Sequence, residues 1–516
     1  MAFSDQAILA VELGFHDGTS AKTRYVTDAD AFITSPTDTP PSVAFLPRVL
    51  GRGVYSINAI SPSSTFGVSE AGFGNLELAN IDGGLDSWVT DGVSGRSITI
   101  RRGLLGAAYP SAWTTIFVGQ QAAIESNYKS VSITFADRQA DLLKPLQTAF
   151  YLGNNALPAG QEGVADLKGK PKPRVYGRCR KVAPVYVNTS LLIYQVSDKE
   201  AVISGVFDGG AALTAGAAYA SIAAMEATAP AAGQYRVFAP AGGPAYFRLG
   251  STAAKVITAD VDAAGAAANW TAAQLLKSIA LDAGILNANI NAGDVTALDT
   301  ANSAVCGYYL DGTQSAMDAM NAVAASIGAS FWTDALGSLR MFRLAAPSGS
   351  PVVSLTDAQI MSIDRQATQD RGAGVPAWRV EVNFQRYWKT QSTTETVGAA
   401  EASRADLAQE FRRVSSEDAS IKTKHTNAPT LRFNTLLDVQ SAAQTEADRL
   451  LSLYKADRTM LKVTVDVPAA TLALLTLGAV VNVMLPRFGC TSGKSFVLIG
   501  LVVYLNQGRA DLTLWG

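Results

Sequence analysis

With 516 residues, 42 basic against 44 acidic side chains and charged residues at only 17%, the chain is too long for one ordinary domain and has no excess of either sign. That balance argues against a basic nucleic-acid-gripping surface and against a polybasic membrane anchor. Hydrophobic residues at 48%, with 44 Gly and 20 Pro spread along the chain, fit short strands and tight turns and exceed the apolar surface a lone soluble domain needs.

The opening Met1-Ala2-Phe3-Ser4-Asp5 has neither a basic n-region nor an apolar h-region, so no signal peptide is expected. Residues 1–170 read mainly as strands. Phe32-Ile33-Thr34 ends at Ser35-Pro36, Ser97 to Ile100 ends at Arg101-Arg102-Gly103, and Val131 to Phe135 alternates with period two, which implies one buried face. Gly72-Phe73-Gly74 and Ile81-Asp82-Gly83-Gly84 are expected turns. Asp137 to Tyr151, with Leu142, Leu143, Leu146 and Phe150, predicts a short helix interrupted near Pro145.

The proline-stiffened run Lys168 to Pro173 is a linker into a second strand system over 171–243. Strands are expected at Val185 to Val187, Leu191 to Val196 and Val202 to Phe207, the last closed by Asp208-Gly209-Gly210. From Ala211 to Gly243 alanine and glycine dominate, which reads as a weakly determined surface elaboration. Residues 244–350 change character. Leu275, Leu276, Ile279, Ala280 and Ala283 form the apolar stripe of one helix, capped by Asn269 or Thr271 and ended by Gly284. Ala316, Met317, Met320, Val323, Ala324 and Ile327 form a second, stopped by Gly328. Phe331-Trp332 and Leu339 to Phe342, turning at Asp334 to Gly337, predict a hairpin on that second helix.

In residues 351–516, Trp378 to Trp388 predicts a strand, Thr390 to Ser403 a long exposed loop, and Val439 to Tyr454 a helix. Leu461 to Val467, Ala479 to Leu485, Phe496 to Tyr504 and Leu512 to Trp515 predict a strand-rich end, part of a barrel or sandwich, with Asn506-Gln507-Gly508 turning the last hairpin. The apolar run Phe496 to Leu505 is about half the roughly 20 residues a membrane helix needs.

Catalytic and ligand-binding patterns are weak throughout. Gly489 to Ser495 (GCTSGKS) resembles a phosphate-binding loop, but Phe488 stands where that loop needs glycine and strand-like sequence follows where it needs a helix. Gly72-Phe73-Gly74-Asn75-Leu76-Glu77 opens like a dinucleotide fingerprint, yet Glu77 replaces the third glycine and no βαβ unit surrounds it. The only two histidines, His16 and His425, sit in no catalytic pattern. Carboxylate pairs such as Asp82 with Asp86 could serve a glycosidase, though turn aspartates explain them. Cys179, Cys306 and Cys490 are far apart, form no CxxC pair and have no nearby histidine, so buried thiols are expected rather than a metal site. No catalytic, cofactor-binding or metal-binding residue is therefore assigned, and no cofactor is expected.

Several segments together resemble the tail-hub proteins, at the baseplate or tail tip, of tailed bacteriophages and gene transfer agents. They are Lys170 to Gly177, Leu192 to Val196, Val206 to Gly210, Val256 to Val261, Leu477 to Val481 with Pro486 to Gly489, and the closing Leu512 to Gly516. The resemblance is scattered over about residues 90–516. It implies an α+β, predominantly β fold, in which two barrel-like β domains line a channel and a mixed α/β domain intervenes. On that basis the expected domains are 1–170, 171–243, 244–350 and 351–516. It also implies a homotrimer, whose six barrel positions dock on a sixfold tail tube or distal tail protein while its threefold axis meets a central fibre or spike. The implied neighbours include the tape-measure protein, with transient passage of phage DNA. The expected place is the distal end of the virion's tail, after assembly in the host cytoplasm, and the expected role is structural, not enzymatic. A receptor- or carbohydrate-binding tail protein is the alternative, and a peptidoglycan hydrolase a more remote one.

Overall fold

Alternating apolar and polar residues bring both ends of the chain into a single sheet. The computed structural model describes residues 7–58, 60, 64–370, 373–505 and 508–516; the opening Met1 to Asp5 and the Asn506-Gln507 part of the last turn lie outside the described residues. The 15-stranded sheet runs from Ile360–Gln366 through Met460–Asp466, Arg509–Trp515 and Lys494–Tyr504 to Val49–Asn58. It continues through Phe73–Ala79, Ser130–Ala136, Thr114–Ser126, Ser97–Leu104, Ala7–His16 and Ala21–Thr27 to Ala44–Pro47 and Phe32–Ile33. Val353–Thr356 joins on the side through Val480–Met484.

The two strand-rich ends meet where Val54 to Asn58 pairs antiparallel with Gly500 to Tyr504. Gly500 is required there, because a Cβ would lie 2.6 Å from Asn58 Oδ1 and 3.0 Å from Thr513 Oγ1. One continuous core follows: Leu13, Ile98, Phe117 and Phe135 share it with Val463, Val481, Phe496 and Leu512. Each such side chain contributes roughly 1.5–3 kcal/mol by leaving water, so neither end is a self-sufficient unit. The expected closed barrels are not formed among the described residues. The strand Val49–Asn58 gives one edge to Phe73–Ala79 and the other to Lys494–Tyr504, which leaves an open path of strands. The fold is mainly β with helices between, an α+β arrangement.

A second lobe packs two five-stranded sheets, one containing Arg174–Val182 with Ala201–Asp208 and Ile257–Ala263, the other Ile193–Ser197 with Ala245–Leu249. Val196, Val206, Phe247, Val261 and Tyr309 fill the space between them. Ala211 to Gly243 is better determined than its composition suggests. It holds the strand Gln234–Phe238 and the helix Ile222–Ala227, and it buries Tyr219, Met225 and Tyr235. Three widely spaced anchors fix this segment, and the small residues between them only shape its surface.

The helical part has Ala272–Asp282, capped by Thr271, and Ala316–Ala325, whose Ser315 and Asp318 form a capping box. Gly284 and Gly328 follow them with φ of +91° and +62°. A helix at Ala292–Ala301 was not expected; only Val295 and Leu298 mark its buried side. The hairpin Ala329–Thr333 with Leu339–Arg343 lies where expected. By contrast, the helix expected over Asp137 to Tyr151 is a 3-10 turn at Arg138–Leu143, because Pro145 offers no N–H to extend it. Phe73 and Gly74, expected in a turn, belong to the strand Phe73–Ala79, where Gly74 leaves room for the Phe135 ring. The helix Gln440–Tyr454 covers one face of a three-stranded sheet, Arg379–Phe384 with Arg412–Glu417 and Thr430–Asn434. Among the described residues no helix is long and apolar enough to cross a membrane.

Candidate functional site: the paired charges between the lobes

The strand Arg174–Val182 carries a row of paired charges, of which those with Asp198, Asp262 and Asp260 stay within the second lobe and Arg180 with Asp438 crosses to the C-terminal segment. Its odd positions Val175 and Cys179 enter the second-lobe core, and its even positions put cations on the other face. Arg174 forks onto Asp198 at 2.9 and 2.6 Å, Arg178 onto Asp262 at 2.9 and 3.2 Å, and Arg180 onto Asp438 at 3.0 and 3.0 Å. A bulge after Cys179 turns Lys181, at φ +49°, onto Asp260 at 3.1 Å. Burial works to depress the Arg180 guanidinium, but the Asp438 carboxylate outweighs it and the pKa is raised. For Lys181 the order is reversed, and burial lowers the ammonium despite Asp260. Asp438 lies just before the helix Gln440–Tyr454, so Arg180 ties the second lobe to the C-terminal segment.

Two further nodes repeat this chemistry. Glu446, 1% exposed, receives Arg449 at 2.6 and 3.0 Å and also Arg343, linking the helix to the hairpin. Glu381 is approached by Arg432 at 2.7 Å, Arg379 at 3.3 Å and Arg413 at 3.4 Å. The expected exposed loop Thr390 to Ser403 is instead a clasp with two 3-10 turns at Thr393–Glu395 and Gly398–Ser403. Val397 N–H donates to Gly209 O at 2.9 Å, and buried Gln391 donates to Thr258 Oγ1 at 3.2 Å. Gly210, at φ +84°, admits Leu407 where a Cβ would collide with it. Polar composition misled here, because the segment satisfies its own backbone while reaching across to the second lobe.

A cleft of about 590 Å³ lies between these elements, lined by Phe66, Phe411, Phe433, Tyr454, Arg386 and Arg449 among others, and by neither histidine nor cysteine. Arg386 is engaged by Glu410 at 2.8 Å and Arg449 by Glu446, so their charges are already balanced within the wall.

The sequence motifs fall apart from this centre and from one another. Lys494 begins the strand Lys494–Tyr504 with its ammonium 5.1 Å from the Phe496 ring, and no helix N-terminus follows Gly493 to receive a phosphate. Asp82 pairs with Arg48 at 2.7 Å and Asp86 accepts from Asn80 at 2.7 Å. His16 Nδ1 accepts from Gly18 N–H at 3.1 Å, and His425 lies 3.3 Å from Asp457. All three cysteines are buried and unbridged. Burial pushes the Cys306 thiol up to about 12 and raises the Cys179 thiol well above its ordinary value, which leaves neither as a ready nucleophile. Among the described residues no group of three or more potential metal ligands converges.

The sequence reading overlooked Glu446, Glu381, Asp438 and Gln391. Glu446 carried a signal, because it sits on the buried face of its helix beside Ala443, Ala447 and Leu450, where a charge is retained only if paired.

No protein-family model matches the chain, and no curated protein matches it in sequence. Solved structures do match. A tail protein from Neisseria meningitidis MC58 aligns over 99% of this chain and 97% of its own, at 11% identity and a TM-score of 0.44. The 43 kDa tail protein of prophage MuSo2 from Shewanella oneidensis aligns over 99% and 96%, at 10% identity and a TM-score of 0.41. A chain from the virion of a native gene transfer agent particle aligns over 67% and 84%, at 14% identity and a TM-score of 0.44. The first two of these neighbours are tail proteins, and the third is a chain of a gene transfer agent virion.

Proposed function

We propose that the chain is a virion structural protein, the hub at the distal tip of a phage tail, working as a homotrimer. Its role is to adapt the sixfold tube to a threefold tip and to form part of the DNA-ejection channel. The observation that carries this reading is the edge-to-edge joining of the two strand-rich ends around one core. Each copy then has two β-rich bodies, the terminal sheet around its one core and the lobe of two five-stranded sheets, and three such copies would offer six β-rich positions to a sixfold tube. The segments that resemble tail hubs, Lys170 to Gly177 among them, support the same reading. Its partners are then further copies of itself, the tail tube or distal tail protein, the tape-measure protein and a central fibre or spike.

Native mass spectrometry of the purified chain and the symmetry of this chain in tails imaged by cryo-microscopy test the proposal together. Three copies at the tip are expected. Six whole copies in one ring, or a location along the tube shaft, would overturn it.

A further inference from the structure

Among the described residues, buried carboxyl groups have cationic partners, with one exception. Glu446, Asp438 and Glu381 each receive at least two guanidiniums. Asp137, 0% exposed, has none among the described residues. It lies where the strand Ser130–Ala136 ends, facing the hairpin Ala329–Thr333 with Leu339–Arg343. Its Oδ1 accepts from Gln139 N–H at 2.9 Å, and its Oδ2 accepts from Gly72 N–H at 2.9 Å and stands 3.1 Å from Tyr55 Oη. The same Tyr55 hydroxyl stands 3.5 Å from the carbonyl of Thr333 on the hairpin.

A tyrosine hydroxyl has one proton and here faces two acceptors. If Asp137 is ionised, Tyr55 donates to it and the buried Thr333 carbonyl loses that donor. If Asp137 is protonated, its O–H donates to Tyr55 Oη and Tyr55 donates onward to Thr333 O, so every atom is satisfied. We propose that the Asp137–Tyr55–Thr333 chain is a proton-dependent latch that fastens the first sheet to the hairpin of the helical part, closed when Asp137 carries its proton.

The surroundings favour the closed form. Burial pushes the Asp137 carboxyl up to about 7, against the opposing effect of its hydrogen bonds from Gly72, Gln139 and Tyr55. Tyr55 is raised far above the ordinary phenol value by burial and then by Asp137, so it remains a donor. The nearby charged groups are few. Asp334 at the hairpin turn stands 3.9 Å from Arg340, and Arg138, next in the chain, lies with Asp141 and Lys144 along a cleft that Thr333 also lines. Phe117 and Phe135 close the apolar side, and Gln139, itself buried, accepts from Thr333 N–H at 3.2 Å. A second contact, Val118 N–H to Ala335 O at 2.7 Å, does not depend on the proton and keeps the hairpin near the sheet when the latch opens.

The sign follows from linkage. The folded pKa is raised above the unfolded value of about 3.9, so the contribution is fully present at low pH and is lost as pH rises through the folded value near 7. Between pH 5.5 and 8.5 this predicts that opening of the hairpin from the sheet becomes about 30-fold more favourable. The test is amide hydrogen exchange of residues 329–343 in the full chain across that range, corrected for the intrinsic pH dependence of exchange. Wild-type protection should fall through pH 7, and Asp137→Asn should abolish that step. Tyr55→Phe should lower protection at pH 5.5 and flatten the pH step, because the hydroxyl that carries the Asp137 proton's effect to Thr333 is gone. A pH-independent wild type, a step retained in Asp137→Asn, or undiminished protection in Tyr55→Phe would each overturn the latch. Should Asp137→Asn fail to fold, the wild-type titration and Tyr55→Phe still decide.

Discussion

Replacing Glu446 with alanine should cost about 3–5 kcal/mol, the usual penalty for removing one partner of a buried ion pair. Among the described residues Glu446 is the carboxylate that pairs with both Arg343 and Arg449, which converge on its Oε2 while Arg449 also reaches Oε1. Each arginine keeps backbone acceptors: Arg343 donates to Ile327 O and Ala301 O, both at 2.7 Å, and Arg449 to Leu344 O at 3.0 Å. The change therefore leaves two hydrogen-bonded guanidiniums without a counter-charge, with side chains only 14% and 23% exposed. Burial lowers the Arg343 pKa; Glu446 raises it and Arg449 lowers it further, so the two cations repel once the acid is gone.

Because the chain has several lobes, one global unfolding energy is ill-defined. Hydrogen exchange of the helix Gln440–Tyr454 reads the local effect. A loss of 3–5 kcal/mol appears as about 150- to 5,000-fold less protection wherever exchange reports opening of that helix. Glu446→Gln, which keeps the shape, should lose less, because its one amide oxygen can still accept from both arginines where they share Glu446 Oε2. Replacing all three residues with apolar ones of similar size should recover most of the loss. A Glu446→Ala protein with less than about a fivefold change would refute the premise that this carboxylate holds the helix to the hairpin.

Trp515→Ala should cost about 3–5 kcal/mol, read as a lower unfolding temperature, since Trp515 is buried against Leu344, Met460, Val497 and Ile499. Deleting Leu512 to Gly516 should give aggregated protein, because the strand Arg509–Trp515 pairs on both sides and its loss opens two edges, as a sedimentation assay would report. Deleting Gln391 to Glu401 should now be damaging as well, exposing the Gly209-Gly210 turn to limited proteolysis, because the segment is a clasp. Lys494→Ala should leave assembly and infectivity unchanged, and ATP binding abolished by that substitution would contradict it.

What was legible in the sequence was local. Period-two alternation located the strands at Ser130–Ala136 and Met460–Asp466, and apolar stripes ending in glycine located the helices Ala272–Asp282 and Ala316–Ala325. The joining of Val49–Asn58 to Lys494–Tyr504 was not legible, because pairing between segments more than 400 residues apart leaves no local pattern. Ala292–Ala301 was missed because two buried residues in ten make too faint a stripe. Ala211 to Gly243 and Thr390 to Ser403 were misjudged from composition, since Tyr219, Met225 and Gln391 are single anchors in otherwise plain sequence. Of the interlobe network, only Glu446 betrayed itself; Arg178 and Arg180 alternate with core residues as any half-buried strand would.

The placement of charge bears on how such a chain finds one arrangement of its lobes. Apolar contacts such as Trp388 on Tyr308 and Tyr309 can slide or repack at modest cost, whereas Arg180 forked onto Asp438 tolerates little displacement. A misdocked second lobe would leave the buried Asp438 carboxylate without the guanidiniums of Arg178 and Arg180, a penalty of several kcal/mol that correct docking removes. Net stability gained from such a pair is small, because desolvation offsets most of the attraction. Its value lies in the gap between right and wrong docking. A double replacement of Arg180 and Asp438 by apolar residues of similar size should therefore leave the unfolding temperature within a few degrees of wild type while reducing the fraction of chains that reach the native arrangement. Hydrogen exchange across the strand Arg174–Val182 would resolve the two populations, and a single, fully native population in that variant would show that shape alone fixes the docking.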